Sequence, residues 1–291
     1  LPRLERSFGP VTPPLLALEI LRTIMIAGTG LLSPAPWALW VTIALQALIF
    51  AIALYGMWIE PFRLGITQTT LKSPKFETGH PLRLLHISDL HIERTTPRER
   101  KLLQSIESLN PDIVVLTGDY LNLSYVEDTQ AQAEARHILA DICRLSQAPV
   151  FAITGSPPVD RAGIIPTIFD DLPVTWLINE VQEITINDQK LRIAGVHCTR
   201  NRAVDGPQLQ HMLNGHTPET FTLLLYHSPD LMPEATELGI DMYLCGHTHG
   251  GQIRLPLIGA LVTSSDFWKR YEMGRYHEQQ TTLYVSRGLG M

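Results

Sequence analysis

The chain has 291 residues, with 23 basic and 29 acidic side chains, a formal net charge of −6 and 45% hydrophobic residues. That length holds an N-terminal segment plus one domain of about 210 residues, enough for a full core. The acidic balance and the lack of any basic run argue against nucleic acid as the main partner.

The first 60 residues are apolar. Leu15 to Leu32 carries Glu19 and Arg22 in its first half, so it reads as a second membrane span, an interfacial helix or a buried core helix. Trp37 to Ile59 has no charge and has tryptophans near both ends, as a membrane span requires. Apolar material this long, recurring after Ser33-Pro34-Ala35-Pro36, does not read as a cleaved signal peptide. Arg3 and Arg6 precede the pair and Arg63, Lys72 and Lys75 follow it, so two spans form a hairpin at the cell membrane with the domain in the cytoplasm. A single span decides nothing about orientation. Residues 1–60 are thus a membrane anchor of one or two spans, 61–79 a linker and 80–291 the domain.

Next come strand-like runs that end in chemistry. Leu84 to His91 breaks into Asp89-Leu90-His91, and Ile113 to Asp119 ends in Gly118-Asp119. Ligands gather at the carboxyl ends of strands in open α/β sheets, where loops aim side chains without disturbing the core. Between these runs, Thr96 caps a helix that starts at Pro97 and lines Leu102, Leu103, Ile106 and Leu109 on one face. A second helix covers about Thr129 to Leu145, and a strand runs from Pro149 to Thr154. Glu183 to Ile186 alternates, Asn187-Asp188 turns and Leu191 to Ala194 returns, as a hairpin does. Thr222 to His227 ends in a third ligand, with Ser228 as N-cap before Pro229. Cys245-Gly246-His247-Thr248-His249-Gly250-Gly251-Gln252 is the most telling stretch, because two imidazoles one residue apart between glycines suit a metal loop and no core. The last strand is Thr282 to Ser286. Cys143, Cys198 and Cys245 have no regular spacing, in keeping with a reducing compartment.

Imidazoles mixed with carboxylates suit Mn, Fe, Zn or Co, and six such ligands exceed what one catalytic ion with open positions needs. Two divalent ions are the simpler reading, with Asp119 as the bridge. His86 and His137 are expected to be structural or solvent-facing.

This order of Asp-x-His, Gly-Asp, His and Gly-His-x-His resembles the calcineurin-like metallophosphoesterases over roughly residues 80 to 288. Gly-His-Thr-His-Gly-Gly-Gln looks like the membrane-associated branch, which includes enzymes similar to UDP-2,3-diacylglucosamine pyrophosphatase. The resemblance implies an α/β fold, a four-layer α/β/β/α sandwich of two mixed β-sheets, preceded by an N-terminal transmembrane helix or helical hairpin. It implies that Asp89, His91 and His249 hold one metal and that His227 and His247 hold the other, bridged by Asp119. Asp119, His227 and His247 are then the catalytic residues. It also implies a closing strand beyond Met291, so the chain reads as a fragment.

One block departs from the family. Where the family has Gly-Asn-His, this chain has Gly155-Ser156-Pro157. Ser156 stands in for a metal-binding asparagine with a shorter, weaker ligand, and Pro157 stands where a histidine contacts phosphate or protonates the leaving oxygen. General acid help is worth roughly 10²–10⁴-fold, while metal activation of water is a separate contribution. The loss favours leaving groups that depart as stable anions, and His197 or Asp160 is a candidate to fill part of the gap, as acid and near the second metal respectively.

The expected function is a membrane-anchored phosphohydrolase cleaving a phosphodiester or pyrophosphate bond, lipid-linked because the anchor holds the pocket near a bilayer. The competing expectation is a catalytically weak, metal-binding relative that acts as a membrane-bound binding or regulatory module. Residues between His197 and His216, and from Thr263 to Gly288, are expected to line part of the pocket.

Overall fold

The computed structural model describes residues 12–32, 35–76, 81–251, 253–255 and 259–290. Arg3, Arg6, Ser33, Pro34, Gly79, Gln252 and Met291 lie outside the described residues. The chain divides into two compact units, Leu1–Gly65 with Thr96–Arg98, and Ile66–Thr95 with Glu99–Met291.

The first unit contains helices α1 (Thr12–Leu32) and α2 (Pro36–Trp58). Pro36 opens α2, where its missing N–H costs nothing. Helix α2 and its extension to Phe62 form the one described helix long and apolar enough to cross a membrane, with mean hydropathy 2.2. At 1.5 Å per residue, 23 helical residues reach about 35 Å, against roughly 30 Å of hydrocarbon. Ala38, Thr42 and Gln46 recur every four residues as the buried face of α2. Gln46 Nε2 donates to Arg22 O of α1 at 3.3 Å. The charges of α1 are matched, Arg22 pairing with Glu19 at 2.6 Å one turn away.

The second unit is α/β with two main sheets. Strands β1 (Leu84–Ile87), β2 (Ile113–Leu116), β3 (Val150–Ala152) and β4 (Val174–Trp176) form the first, in that order. All its described pairings are parallel. The expectation of two mixed sheets therefore fails here, because α3 (Pro97–Leu109), α4 (Thr129–Ser146) and α5 (Ile165–Phe169) lie between its strands in sequence and allow crossover connections. The second sheet has the order β11-β12-β8-β7-β6-β5, built from β5 (Glu180–Ile186), β6 (Gln189–Gly195), β7 (Phe221–Leu225), β8 (Met242–Cys245), β11 (Gly274–Glu278) and β12 (Thr281–Val285). It is mixed: both edge strands pair antiparallel and the central ones parallel. A short ribbon of β9 (Ile253–Leu255) and β10 (Gly259–Val262) stands apart.

Side chains alternate across a pleat, so each sheet has two faces to bury. Ile113, Val115 and Phe151 of the first sheet meet Ile193, Leu223 and Leu225 of the second in one buried cluster. On the other face of the second sheet, Leu224, Tyr243 and Leu283 pack with Leu209 of α6 (Arg202–Leu213) and Met232 and Ala235 of α7 (Met232–Glu237). The described part of the stretch read as a linker is laid on this unit from Ile66 onward. Leu71 and Phe76 pack against the inter-sheet core, the Phe76 and Phe221 rings stack at 4.5 Å, and Lys75 pairs with Asp241 at 2.7 Å.

Candidate metal centre

The carboxyl ends of β1, β2 and β3 in one sheet, and of β7 and β8 in the other, deliver every residue that the sequence singled out as a ligand. Backbone pairing continues past the strands and fixes the loops: Asp89 N–H donates to Gly118 O at 3.0 Å, His91 N–H to Asp119 O at 3.0 Å, and Gly246 N–H to His227 O at 2.8 Å. Asp89, His91, Asp119, His247 and His249 all have positive φ, between 44° and 69°. Non-glycine residues rarely adopt this left-handed region, and such strain concentrates at functional sites where the surroundings impose it.

Two ligand groups result, Asp89 with His91 and His249, and Asp119 with His227 and His247, the ligand atoms of each lying within 4.8 Å of one another. In the first, His91 Nε2 and His249 Nε2 are 3.2 Å apart and His249 Nε2 is 3.4 Å from Asp89 Oδ1. In the second, His227 Nε2 lies 3.2 Å from His247 Nδ1 and 3.4 Å from Asp119 Oδ2. Asp119 Oδ2 is also 3.7 Å from His91 Nε2, so this carboxylate faces both groups.

The outward nitrogens fix which atoms face inward. His91 Nδ1–H donates to Leu121 O at 3.2 Å, His227 Nδ1–H to Thr117 O at 2.7 Å, and His247 Nε2–H to Ser264 O at 3.1 Å. Because a carbonyl only accepts, these bonds leave His91 Nε2, His227 Nε2 and His247 Nδ1 as the atoms that face a ligand. Ring nitrogens this close, with lone pairs aimed at each other and at carboxylates, fit a divalent cation.

Electrostatics agrees. Burial alone would raise Asp89 and Asp119, yet the neighbouring histidines hold both carboxyl groups below their usual range, with His249 leading at Asp89 and His227 at Asp119. Burial alone would lower His227, yet Asp119 holds it well above the ordinary imidazole value. Burial, followed by the charge of His227, lowers His247 to about 3, and burial likewise lowers His91. The anionic carboxylates and the neutral imidazoles of His91 and His247 are in the state in which such side chains bind metals, while His227, protonated beside Asp119, would give up its proton as an ion binds.

Small residues let the loops close on each other. A Cβ on Gly246 would stand 2.0 Å from Asp89 Oδ2 and 2.0 Å from Ser88 Oγ, and one on Gly155 would stand 2.2 Å from Asp119 N. Ser156 Oγ lies 3.2 Å from His227 Nε2, 3.3 Å from His247 Nδ1 and 3.4 Å from Asp119 Oδ2, so the structure brings it to the second group. Pro157 is exposed at the next position. Asp160 is not turned toward that group: its carboxylate accepts from the N–H groups of Asp119 at 2.8 Å, Tyr120 at 3.1 Å and Gly155 at 2.6 Å. Burial, helped by the charge of Asp119, raises it to about 7. Sequence reasoning missed this bracing role, because it depends on backbone donors from two different strand ends.

His197 follows β6, with Nδ1 2.8 Å from Thr154 Oγ1, two residues before Ser156. His86 lies at β1, 2.8 Å from Thr117 Oγ1, and His137 is exposed beside Asp141, so neither joins the ligand groups. Of the segments expected to line the pocket, 202–213 is instead helix α6, with Leu209 and Leu213 turned into the outer cluster. The other segment does reach the site. Ser264 O holds His247, and the N–H groups of Leu289 and Gly290, just beyond that segment, donate to Asp89 O at 3.1 and 2.7 Å.

The calcineurin-like phosphoesterase family profile matches residues 82–156. The uncharacterized metallophosphoesterase YkuE of Bacillus subtilis is 28% identical over 245 residues, covering 81% of this chain and 82% of that protein. UDP-2,3-diacylglucosamine pyrophosphatase LpxG of Chlamydia trachomatis is 26% identical over 308 residues, covering 86% of this chain and 92% of that protein. Phosphodiesterase YaeI of Escherichia coli K12 is 28% identical over 222 residues, covering 74% and 77%.

Proposed function

We propose, on the premise that this chain carries a calcineurin-like metallophosphoesterase domain, that it is a membrane-anchored phosphohydrolase cleaving a phosphodiester or pyrophosphate bond at a dinuclear centre. The observation that carries this reading is Asp119 Oδ2, 3.7 Å from a histidine of one ligand group and 3.4 Å from a histidine of the other. A carboxylate so placed would be shared by both ligand groups if each held an ion.

Asp89, His91, Asp119 and His249 would hold one divalent ion, and Asp119, Ser156, His227 and His247 the other. Mn, Fe, Zn and Co all suit this mixture of nitrogen and oxygen donors. When bound, two such ions clamp phosphoryl oxygens and supply a strong nucleophile at neutral pH. The protein's own part is to hold donors and substrate in register. Asp160 fixes the Asp119 and Gly155 backbones, three carbonyls orient the histidines, and Gly155 and Gly246 let the loops approach where a side chain would collide. With Pro157 offering no proton, His197, tethered through Thr154, is the candidate acid. Substrates whose leaving group departs as a stable anion, such as pyrophosphate esters, depend least on such an acid.

The pyrophosphatase name of one relative supports the pyrophosphate class, and the diacylglucosamine in that name supports a lipid-linked substrate. Helix α2 supports anchoring in the cell membrane, with the domain in the cytoplasm by the positive residues that flank the helices. The layer order α/β/β/α belongs to the same proposal, supported by the core between the sheets and by the packing of α6 and α7 on the second.

The test is hydrolysis of bis-(p-nitrophenyl) phosphate by the full chain in detergent, titrated with Mn²⁺. Turnover that depends on metal and falls at least about 100-fold in Asp119→Asn is the expected result. No turnover with metal bound would overturn it and favour the second reading, a metal-binding membrane module with little catalysis, which Pro157 supports. In that case Ser156→Asn combined with Pro157→His should raise activity from near zero.

A further inference from the structure

Every arginine whose side chain the structure describes has a hydrogen-bond or ion-pair partner, except two. Arg22, Arg63, Arg94, Arg144, Arg161, Arg192, Arg202 and Arg270 pair with carboxylates. Arg83, Arg136 and Arg275 donate to backbone carbonyls, and Arg98 and Arg100 are also engaged. Arg200 and Arg287 make no such contact among the described residues, and both are exposed. The chain has more carboxylates than cations, 29 against 23, so a lack of available partners does not account for this.

Their placement does. The stem of Arg287 lies over Gly250, the neighbour of His249: a Cβ there would meet Arg287 Cγ at 3.3 Å and Cδ at 3.5 Å. The next residue, Gly288, runs so close to the first ligand group that a Cβ on it would stand 2.8 Å from Asp89 Cβ and 3.3 Å from His249 Nδ1. Leu289 N–H anchors the backbone here by donating to Ser88 O at 3.0 Å. Arg200 ends the short loop after β6, where Cys198 N–H donates to Thr154 Oγ1 at 3.2 Å and so ties the loop to the chain leading into Ser156. Its φ of 60° is a left-handed conformation that a long side chain adopts only under constraint. The stem of Arg287 thus lies at the loop of the first ligand group, and the loop that carries Arg200 is tied to the chain leading into the second.

We propose that Arg287 and Arg200 form an anion-binding pair flanking the metal centre, which takes the second phosphoryl group of a diphosphate substrate and so selects pyrophosphate esters over simple phosphodiesters. Guanidinium groups bind phosphoryl oxygens through two parallel hydrogen bonds, which an ammonium cannot reproduce. The inference rests on the reading of the strand-end groups as a phosphoryl site and adds the substrate class.

The test is direct binding rather than turnover. The full chain in detergent with Mn²⁺ is titrated calorimetrically with methylenediphosphonate, a non-hydrolysable diphosphate, and separately with orthophosphate. Arg287→Gln and Arg200→Gln should each weaken diphosphonate binding about 10-fold or more and orthophosphate binding less than about 3-fold, with metal content unchanged. Arg287→Lys should restore only part of the loss. Unchanged diphosphonate affinity in both variants would overturn the proposal. So would equal losses for the two probes, or a wild-type chain that binds neither. Metal-dependent hydrolysis of bis-(p-nitrophenyl) phosphate judges the phosphohydrolase reading separately, so the two can fail independently.

Discussion

An imidazole presents a lone pair in a fixed direction only when its other nitrogen is engaged, and for His91, His227 and His247 the partner is a carbonyl from a distant loop. The two candidate ligand groups could be expected from the sequence because Asp89, His91, Asp119, His227, His247 and His249 are residue types with few other reasons to stand at strand ends. Their partners were not, since any residue carries a carbonyl and only the tertiary fold selects Thr117, Leu121 and Ser264. Ser156 offers a testable contrast. Its hydroxyl reaches the second ligand group, and Ser156→Asn should tighten the weaker of two Mn²⁺ sites about 10-fold in a calorimetric titration of the metal-free protein. A second effect at this scale concerns His86, which burial lowers to about 4 against the pull of Asp89. Its folded value lies below its unfolded one of about 6.5, so the unfolded chain takes up the proton first and stability falls as pH drops from about 6.5 toward 4. His86→Gln should flatten urea-unfolding stability over that window, removing a slope of at most about 1.4 kcal/mol per pH unit.

Among the elements, those with a local signature were readable and those that depend on partners were not. The Asn187-Asp188 turn is one example: both residues have positive φ, 50° and 63°, as a tight hairpin turn requires, and β5 pairs with β6 across it. Helix α4 is another, because Asp128 accepts from Gln130 and Ala131 N–H and starts it within the expected range. Helix α6 went unread because Gly206 and Pro207 interrupt any helical signal; packing of Leu209 and Leu213 on the second sheet sustains it regardless. At the other end of α4, Gln147 sits at φ 52°, a conformation that suits glycine, so Gln147→Gly should stabilise the protein by about 1 kcal/mol in urea melts. Gly246→Ala should do the reverse at the centre. Its methyl group would displace Asp89 and Ser88, and metal content measured after dialysis should fall while the far-ultraviolet dichroism of the strands persists.

At the scale of the whole molecule, composition divides the chain into an apolar helical front and an α/β body, and the two compact units divide after Gly65. The following stretch reads as a connection from its polar residues and prolines, and Leu71 and Phe76 pack its described part against the core. Phe76→Ala should therefore destabilise the body by about 2–3 kcal/mol in urea unfolding, although it lies far from any ligand residue in sequence. The last of the loops around Asp89 raises a matter of timing. Ser88 and Asp89 emerge early in translation, yet the N–H groups that close on their carbonyls belong to Leu289 and Gly290. At roughly 5–20 residues per second, the ribosome needs ten seconds or more, on the order of magnitude, to connect the two. The backbone clasp on Ser88 and Asp89 therefore cannot close on the nascent chain until that late segment has been made.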